Sequence, residues 1–153
     1  ALAIDSLRPG DRVLVAESCS HHPIGEDIGR VKIPRWLNRH VGGELRFDHV
    51  QGHDFPASLR DYRLVIHCGA CMFNRREMLT RILHCQQAGV PVTNYGLAIA
   101  FSLGILERAL EPFPAALAAL RNSRDAGAAR TQPLLPGRNL APRAAAAPRD
   151  VAA

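Results

Sequence analysis

The segment His67-Cys68-Gly69-Ala70-Cys71 places two thiols three positions apart on a turn made pliable by small residues, a spacing that lets both sulfurs grip one soft metal centre. Two thiols are half a site. The other candidate cluster is Cys19-Ser20-His21-His22, so the full pattern reads Cys19-x-His21, 45 intervening residues, then His67-Cys68-x-x-Cys71. Three thiolates from two loops suit an iron-sulfur cluster that keeps one iron for a weaker ligand. Three cysteines and one histidine equally make a structural zinc site, and on residue types alone the two stand level. A thioredoxin-like redox pair fits less well, because its first Cys opens a helix. Here Cys71 precedes the expected helix cap, Asn74, whose capping-box partner is Glu77. The positive end of that helix then favours ionised, metal-binding thiols.

Other polar residues near these ligands carry two readings each. Arg30, Lys32 and Arg35 follow the Cys19 loop closely, where an anionic thiolate cluster needs positive charge, yet they also read as a solvated face. Glu26 and Asp27 read first as caps of the following turn. Cys85 falls on an apolar helical stripe and reads as packing. His40, His49, His53 and His84 lack ligand spacing to any Cys and read as surface or edge residues.

The elements that must present the two ligand loops are short strands. Val13-Leu14-Val15-Ala16 and Leu64-Val65-Ile66 are unbroken apolar runs, the pattern of strands covered on both faces. If they are neighbours in one parallel sheet, both clusters emerge at the same edge. Between them, a turn-rich loop over 23–30, a short helix over 34–41 closed by Gly42-Gly43, and an alternating strand over 44–50 are expected, the last at a sheet edge. A helix follows from Arg75 to about Ala88 with Met78, Leu79, Ile82, Leu83 and Cys85 on one stripe. A fourth strand over 90–93 and an almost wholly apolar helix over 97–110 complete the rhythm of a parallel α/β sheet of about four strands with flanking helices and right-handed crossovers. Ligand loops then lie at the carboxyl ends of strands one and three, where the strand order reverses.

At 153 residues the chain holds one main domain, expected over residues 1–122. A helix over 115–124 is possible on pattern, and residues 123–153, rich in Ala, Pro and Arg, read as a disordered tail. No nucleic-acid partner is expected. Although the net charge is +5, residues 1–120 hold 13 basic and 12 acidic side chains, and the excess sits in the tail. No membrane span is expected, for no apolar run approaches 18 residues, and the start of the chain lacks the pattern of a signal peptide. Without an initiating Met, the chain reads either as a piece of a longer protein or as a stand-alone domain. Cys68 and Cys71 are too close to staple distant segments, which points to a reducing, cytoplasmic setting.

Three stretches in order, 19–34 (CSHHPIGEDIGRVKIP), 66–74 (IHCGACMFN) and 92–96 (VTNYG), resemble the C-terminal cluster-binding domain of HydF, the FeFe-hydrogenase maturation GTPase family, over about residues 11–110. The resemblance implies a 4Fe-4S cluster on Cys19, Cys68 and Cys71 with a labile fourth position. His21 and His67 match the family's histidine positions, and Asp27 or Glu26 is an oxygen-ligand alternative. It further implies a scaffold or carrier of the di-iron precursor of the hydrogenase active site, made with radical-SAM maturases and passed to apo FeFe-hydrogenase. Arg30, Lys32 and Arg35 would then line the cargo's mouth. The chain departs from the family in carrying no Gly-x4-Gly-Lys-Ser/Thr loop, in a slightly short gap between ligand loops, and in its Ala/Arg-rich tail. GTP hydrolysis therefore does not carry over, and a GTPase/dimerisation domain would act in cis or in trans.

Overall fold

An uninterrupted apolar strand needs cover on both faces, and the two central strands have it. In β1 (Arg12–Glu17), Val13, Leu14, Val15 and Ala16 are fully buried, and β3 (Leu64–His67) is buried along its whole length, after β2 (Arg46–Gln51) has passed half-exposed along one edge. β4 (Val92–Asn94) closes the other edge. All four strands pair in parallel in the order β2-β1-β3-β4. The α/β class, the parallel sheet and the edge position of the second strand are as expected. The computed structural model describes residues 2–19 and 25–131.

Helices α1 (Ile33–Val41), α2 (Arg75–Gln87) and α3 (Tyr95–Ser102) cover the sheet. Because side chains alternate along a strand, β1 and β3 feed two cores. Val13, Leu64 and Ile66 join Ile33 and Leu37 of α1 and Ala98 of α3, while Leu14 and Val65 join Cys85 of α2 and Val90. Each aliphatic side chain taken out of water contributes roughly 1.5–3 kcal/mol. The two strands that lead to Cys19 and Cys68 are thus buried on both faces.

The loop expected before α1 ends in a π-helical turn, Ile28–Lys32, which runs straight into the helix. Its width comes from one shared acceptor, since both Val31 N and Lys32 N donate to the Asp27 carbonyl. On α2 the expected stripe is rotated. Cys85 is buried together with Arg81, four residues earlier, whereas Leu79 and Leu83 stand about half exposed. The apolar helix expected over 97–110 is broken. Gly104, at φ 72°, takes the left-handed conformation that ends α3, with Gly104 N donating to Phe101 O and Ile105 N to Ala100 O, before α4 (Leu106–Leu110) begins. Residues 123–131, assigned above to a disordered tail, continue helix α5 (Pro114–Thr131), which docks through Leu120 against Ala100 and Leu106. Ala and Arg are strong helix formers, and an anchored helix propagates through them. The rest of the tail expectation, residues 132–153, lies outside the described residues.

Candidate functional site

The register sets the site. Ala16 of β1 faces His67 of β3, and Cys68 N donates to Ala16 O at 2.9 Å, so the chains leaving both strands start side by side at one sheet edge. β1 connects to β2 on one side and β3 lies on its other side, which makes this the point of reversal in the strand order. Cys19 stands two residues beyond β1, Cys68 one residue beyond β3. Their sulfurs are 3.3 Å apart, and Cys71 Sγ donates to Cys19 Sγ at 3.2 Å. The turn carrying Cys68 and Cys71 is shaped by Ala70, at φ 56°, and not by Gly69. A non-glycine residue held in the left-handed region marks a loop whose conformation the surroundings impose.

Cys68 is the anchor of the trio. It is 5% exposed, and its sulfur accepts from Ser18 N at 3.0 Å and Ala70 N at 3.4 Å, with the Ser18 hydroxyl 3.3 Å away. Burial alone pushes the Cys68 thiol up, but the His67 ring, the Ser18 hydroxyl and the two backbone N–H groups together bring it down to about 6. Cys19 moves the other way. Burial first, then its contacts with Cys71 and Cys68, push it up to about 12. Of these two thiols Cys68 is the one drawn toward ionisation, and its charge disfavours ionisation of Cys19.

A thiol at about 6 in the folded chain, against 9.0 as its ordinary value, releases its proton earlier when folded. The stability it adds is complete above pH 9 and is lost as pH falls through 6. Metal-free protein unfolded with urea is expected to be more stable at about pH 8.5 than at about pH 5.5, by on the order of 2 kcal/mol, and Cys68→Ala should abolish most of that difference. Equal pH dependence in both proteins would remove Cys68 as its origin.

The remaining sequence-proposed ligands are placed differently. His67 is 1% exposed and both ring nitrogens are engaged, Nδ1 at 3.1 Å from Cys68 O and Nε2 at 3.1 Å from Arg81 Nη1. A carbonyl only accepts and a guanidinium only donates, so the ring carries its proton on Nδ1 and offers its lone pair to Arg81. Asp27 caps the π-helical turn, its Oδ1 accepting from Arg30 N at 2.7 Å. Glu26 accepts twice from Arg35, at 2.9 and 2.6 Å, and Arg30 donates to Glu17 at 2.9 Å. Lys32 is half-buried and in no ion pair among the described residues; it acts on Glu26 by longer-range attraction. His21 lies outside the described residues. Cys85 sits in the core beneath the sheet, away from the trio.

Sequence reasoning missed Ser18, Glu17, Tyr95 and Arg81. Tyr95 opens α3 and donates to Glu17 Oε1 at 3.1 Å; burial, then the Glu17 charge, holds its phenol well above the usual range. Arg81 left one signal, a charged residue spaced four before Cys85 on the inward face of an otherwise amphipathic helix. Among the described residues no three His, Cys, Asp or Glu side chains are arranged as the shell of an ion, for Cys19 stands between the other two sulfurs as a hydrogen-bonding thiol. None of the described helices is long and apolar enough to cross a membrane.

No curated protein matches the chain. Residues 1–112, which hold the sheet, both cysteine-bearing loops and α1 to α4, match the family described as the hydrogen maturase F tetramerization domain. Since that match takes in most of the chain together with every thiol of the site, the protein belongs to the hydrogen maturase F tetramerization domain family, and its place is in hydrogenase maturation.

Proposed function

We propose that this domain is a scaffold that holds a 4Fe-4S cluster on Cys19, Cys68 and Cys71 and, beside it, the di-iron precursor of the hydrogenase active site until that cargo passes to apo FeFe-hydrogenase. The observation that carries this reading is the meeting of three sulfurs from two loops at the reversal point of a parallel sheet, in a chain of this family. The donor set suits the group. One thiol is already drawn toward its ionised form, backbone N–H groups point at its sulfur, and the fourth cysteine is locked in the core. At 3.2–3.3 Å the sulfurs must separate to admit any metal, since even tetrahedral zinc with Zn–S near 2.3 Å spaces them about 3.8 Å apart. When bound, the cluster supplies an iron with one exchangeable position.

For that position His67 would have to give up Arg81 or its own carbonyl contact, and Asp27, whose Oδ1 holds the cap, would have to ligate through Oδ2. His21 or a ligand borne by the cargo is the better candidate. Arg30 and Arg35 are balanced by Glu17 and Glu26, which leaves Lys32 as the cation best placed to meet anionic cargo by charge-assisted hydrogen bonds. Radical-SAM maturases would deliver the precursor in the cytoplasm, with a GTPase/dimerisation domain in cis or in trans.

A second reading, a zinc- or cluster-stabilised association module with no transfer role, is favoured by the word tetramerization in the family's description. One experiment separates them. Anaerobically reconstituted protein is expected to hold iron and sulfide in equal amounts, to show an electron paramagnetic resonance signal when reduced, and, loaded with a synthetic di-iron precursor, to show carbon monoxide and cyanide infrared bands that move to added apo-hydrogenase. Zinc in place of iron, or bands that never leave the protein even with the GTPase domain supplied, would support the module instead.

A further inference from the structure

Arg81 is 3% exposed, and its one carboxylate partner compensates the buried cation only in part. Its nearest acid, Glu77, is 3.6 Å from Nε, beyond hydrogen-bond reach and partly in solvent, and Nε is left without a hydrogen-bond partner. Apart from Glu77, the groups that touch the guanidinium are a histidine, a carbonyl and two aromatic rings. Nη1 donates to His67, Nη2 to the Gly52 carbonyl, and the plane lies 4.3 Å from the ring centre of Phe73 and 4.8 Å from that of Phe55. Those partners are not scattered. Gly52 follows β2, His67 ends β3, and Phe73 comes two residues after Cys71, so one side chain ties two strand ends to the thiol loop.

We propose that Arg81 is a positioning residue for the thiolate site: through His67 and Phe73 it fixes the Cys68–Cys71 turn, and its buried charge is balanced by the negative charge that the three sulfurs carry once they hold metal. The inference rests on the metal-holding reading above. Burial pulls the guanidinium below its ordinary range, and the Glu77 charge opposes that pull. The geometry gives His67 a purpose other than ligation. Its lone pair faces the cation and its N–H faces the loop carbonyl, so it relays position from α2 to the turn.

The test compares wild type with Arg81→Met, of similar length and no charge, and Arg81→Lys, which keeps the charge without the planar fork. Each is measured metal-free and after iron-sulfur reconstitution. Loading is expected to raise the melting temperature of wild type more than that of Arg81→Met, and cluster loss to a chelator is expected to be roughly tenfold faster in Arg81→Met. The cluster's midpoint potential should fall in Arg81→Met and return toward wild type in Arg81→Lys, because a buried positive charge favours the reduced, more negative state. A residue that only packs the core would lower both melting temperatures equally and leave the potential unchanged, and that result would overturn the proposal. Should wild type take zinc and no cluster, the iron-sulfur reading fails while the loading increment with zinc still decides the role of Arg81. Wild type that holds neither would end both.

Discussion

Replacing Cys19, Cys68 or Cys71 singly by alanine is expected to strip the reconstituted cluster, whereas Cys85→Ala should keep its iron and pay in stability alone. The contrast follows from position. The first three sulfurs stand within 3.3 Å of a neighbour at the sheet edge, while Cys85 is fully buried against Leu14, Leu59, Val65 and Val90. Changing a partner behind a metal ligand costs roughly 10–100-fold in affinity, and removing the ligand itself should cost more. Cys68→Ala should be the most severe of the three, because it also leaves Ser18 N and Ala70 N without their acceptor. Cys85→Ala deletes one sulfur from a packed core and should cost about 1–2 kcal/mol by urea unfolding, with iron content unchanged. Iron and sulfide analysis beside the unfolding curves decides the matter. Loss of iron in Cys85→Ala with retention in Cys19→Ala would show the site to be wrongly assigned.

The strands and the thiol trio were legible in the sequence because each rests on a local pattern. Val13 to Ala16 and Leu64 to Ile66 are apolar runs that only a doubly covered strand explains, and the cysteines follow them at once. What escaped depends on contacts between distant segments. Arg81 looks like a surface residue until His67, Gly52, Phe55 and Phe73 are brought around it from three other segments. Asp27 and Glu26 have the right chemistry for an oxygen ligand, and the structure also shows Asp27 Oδ1 in a cap and Glu26 in a bidentate ion pair with Arg35, contacts that the sequence leaves open. The helix expected over 97–110 was misread for a different reason. Its apolar composition outweighed one residue, Gly104, whose left-handed conformation ends α3 and turns Leu103 and Ile105 toward solvent.

Gly29→Ala is expected to destabilise the protein by about 3 kcal/mol and to weaken cluster retention with it. The backbone of Gly29 is not in the left-handed region, so the demand is for space. A Cβ there would lie 1.8 Å from Tyr95 Oη, 2.7 Å from its Cζ and 2.9 Å from Glu17 Oε1. Neither neighbour yields easily. The Tyr95 ring packs against the core that holds Ile33 and Ala98 and its hydroxyl donates to Glu17, which also accepts from Arg30; on the far side the Gly29 carbonyl accepts from His49 Nε2 at 3.2 Å. Relief must come either from expelling Tyr95 or from lifting the π-helical turn off the sheet edge, the edge from which Cys19 leaves β1. Tyr95→Phe separates the two routes. Alone it should cost about 2 kcal/mol by losing one hydrogen bond to a charged acceptor, but in the Gly29→Ala background it should cost less or even stabilise, because it removes the nearer of the two clashing atoms of the ring. The Cζ contact remains, so the rescue is partial. Urea unfolding of the four proteins gives the coupling directly, and iron retention in the same set shows whether the turn moved. A Gly29→Ala protein within 0.5 kcal/mol of wild type would mean that the turn gives way freely and that Tyr95, Glu17 and Arg30 do not hold the Cys19 loop in place.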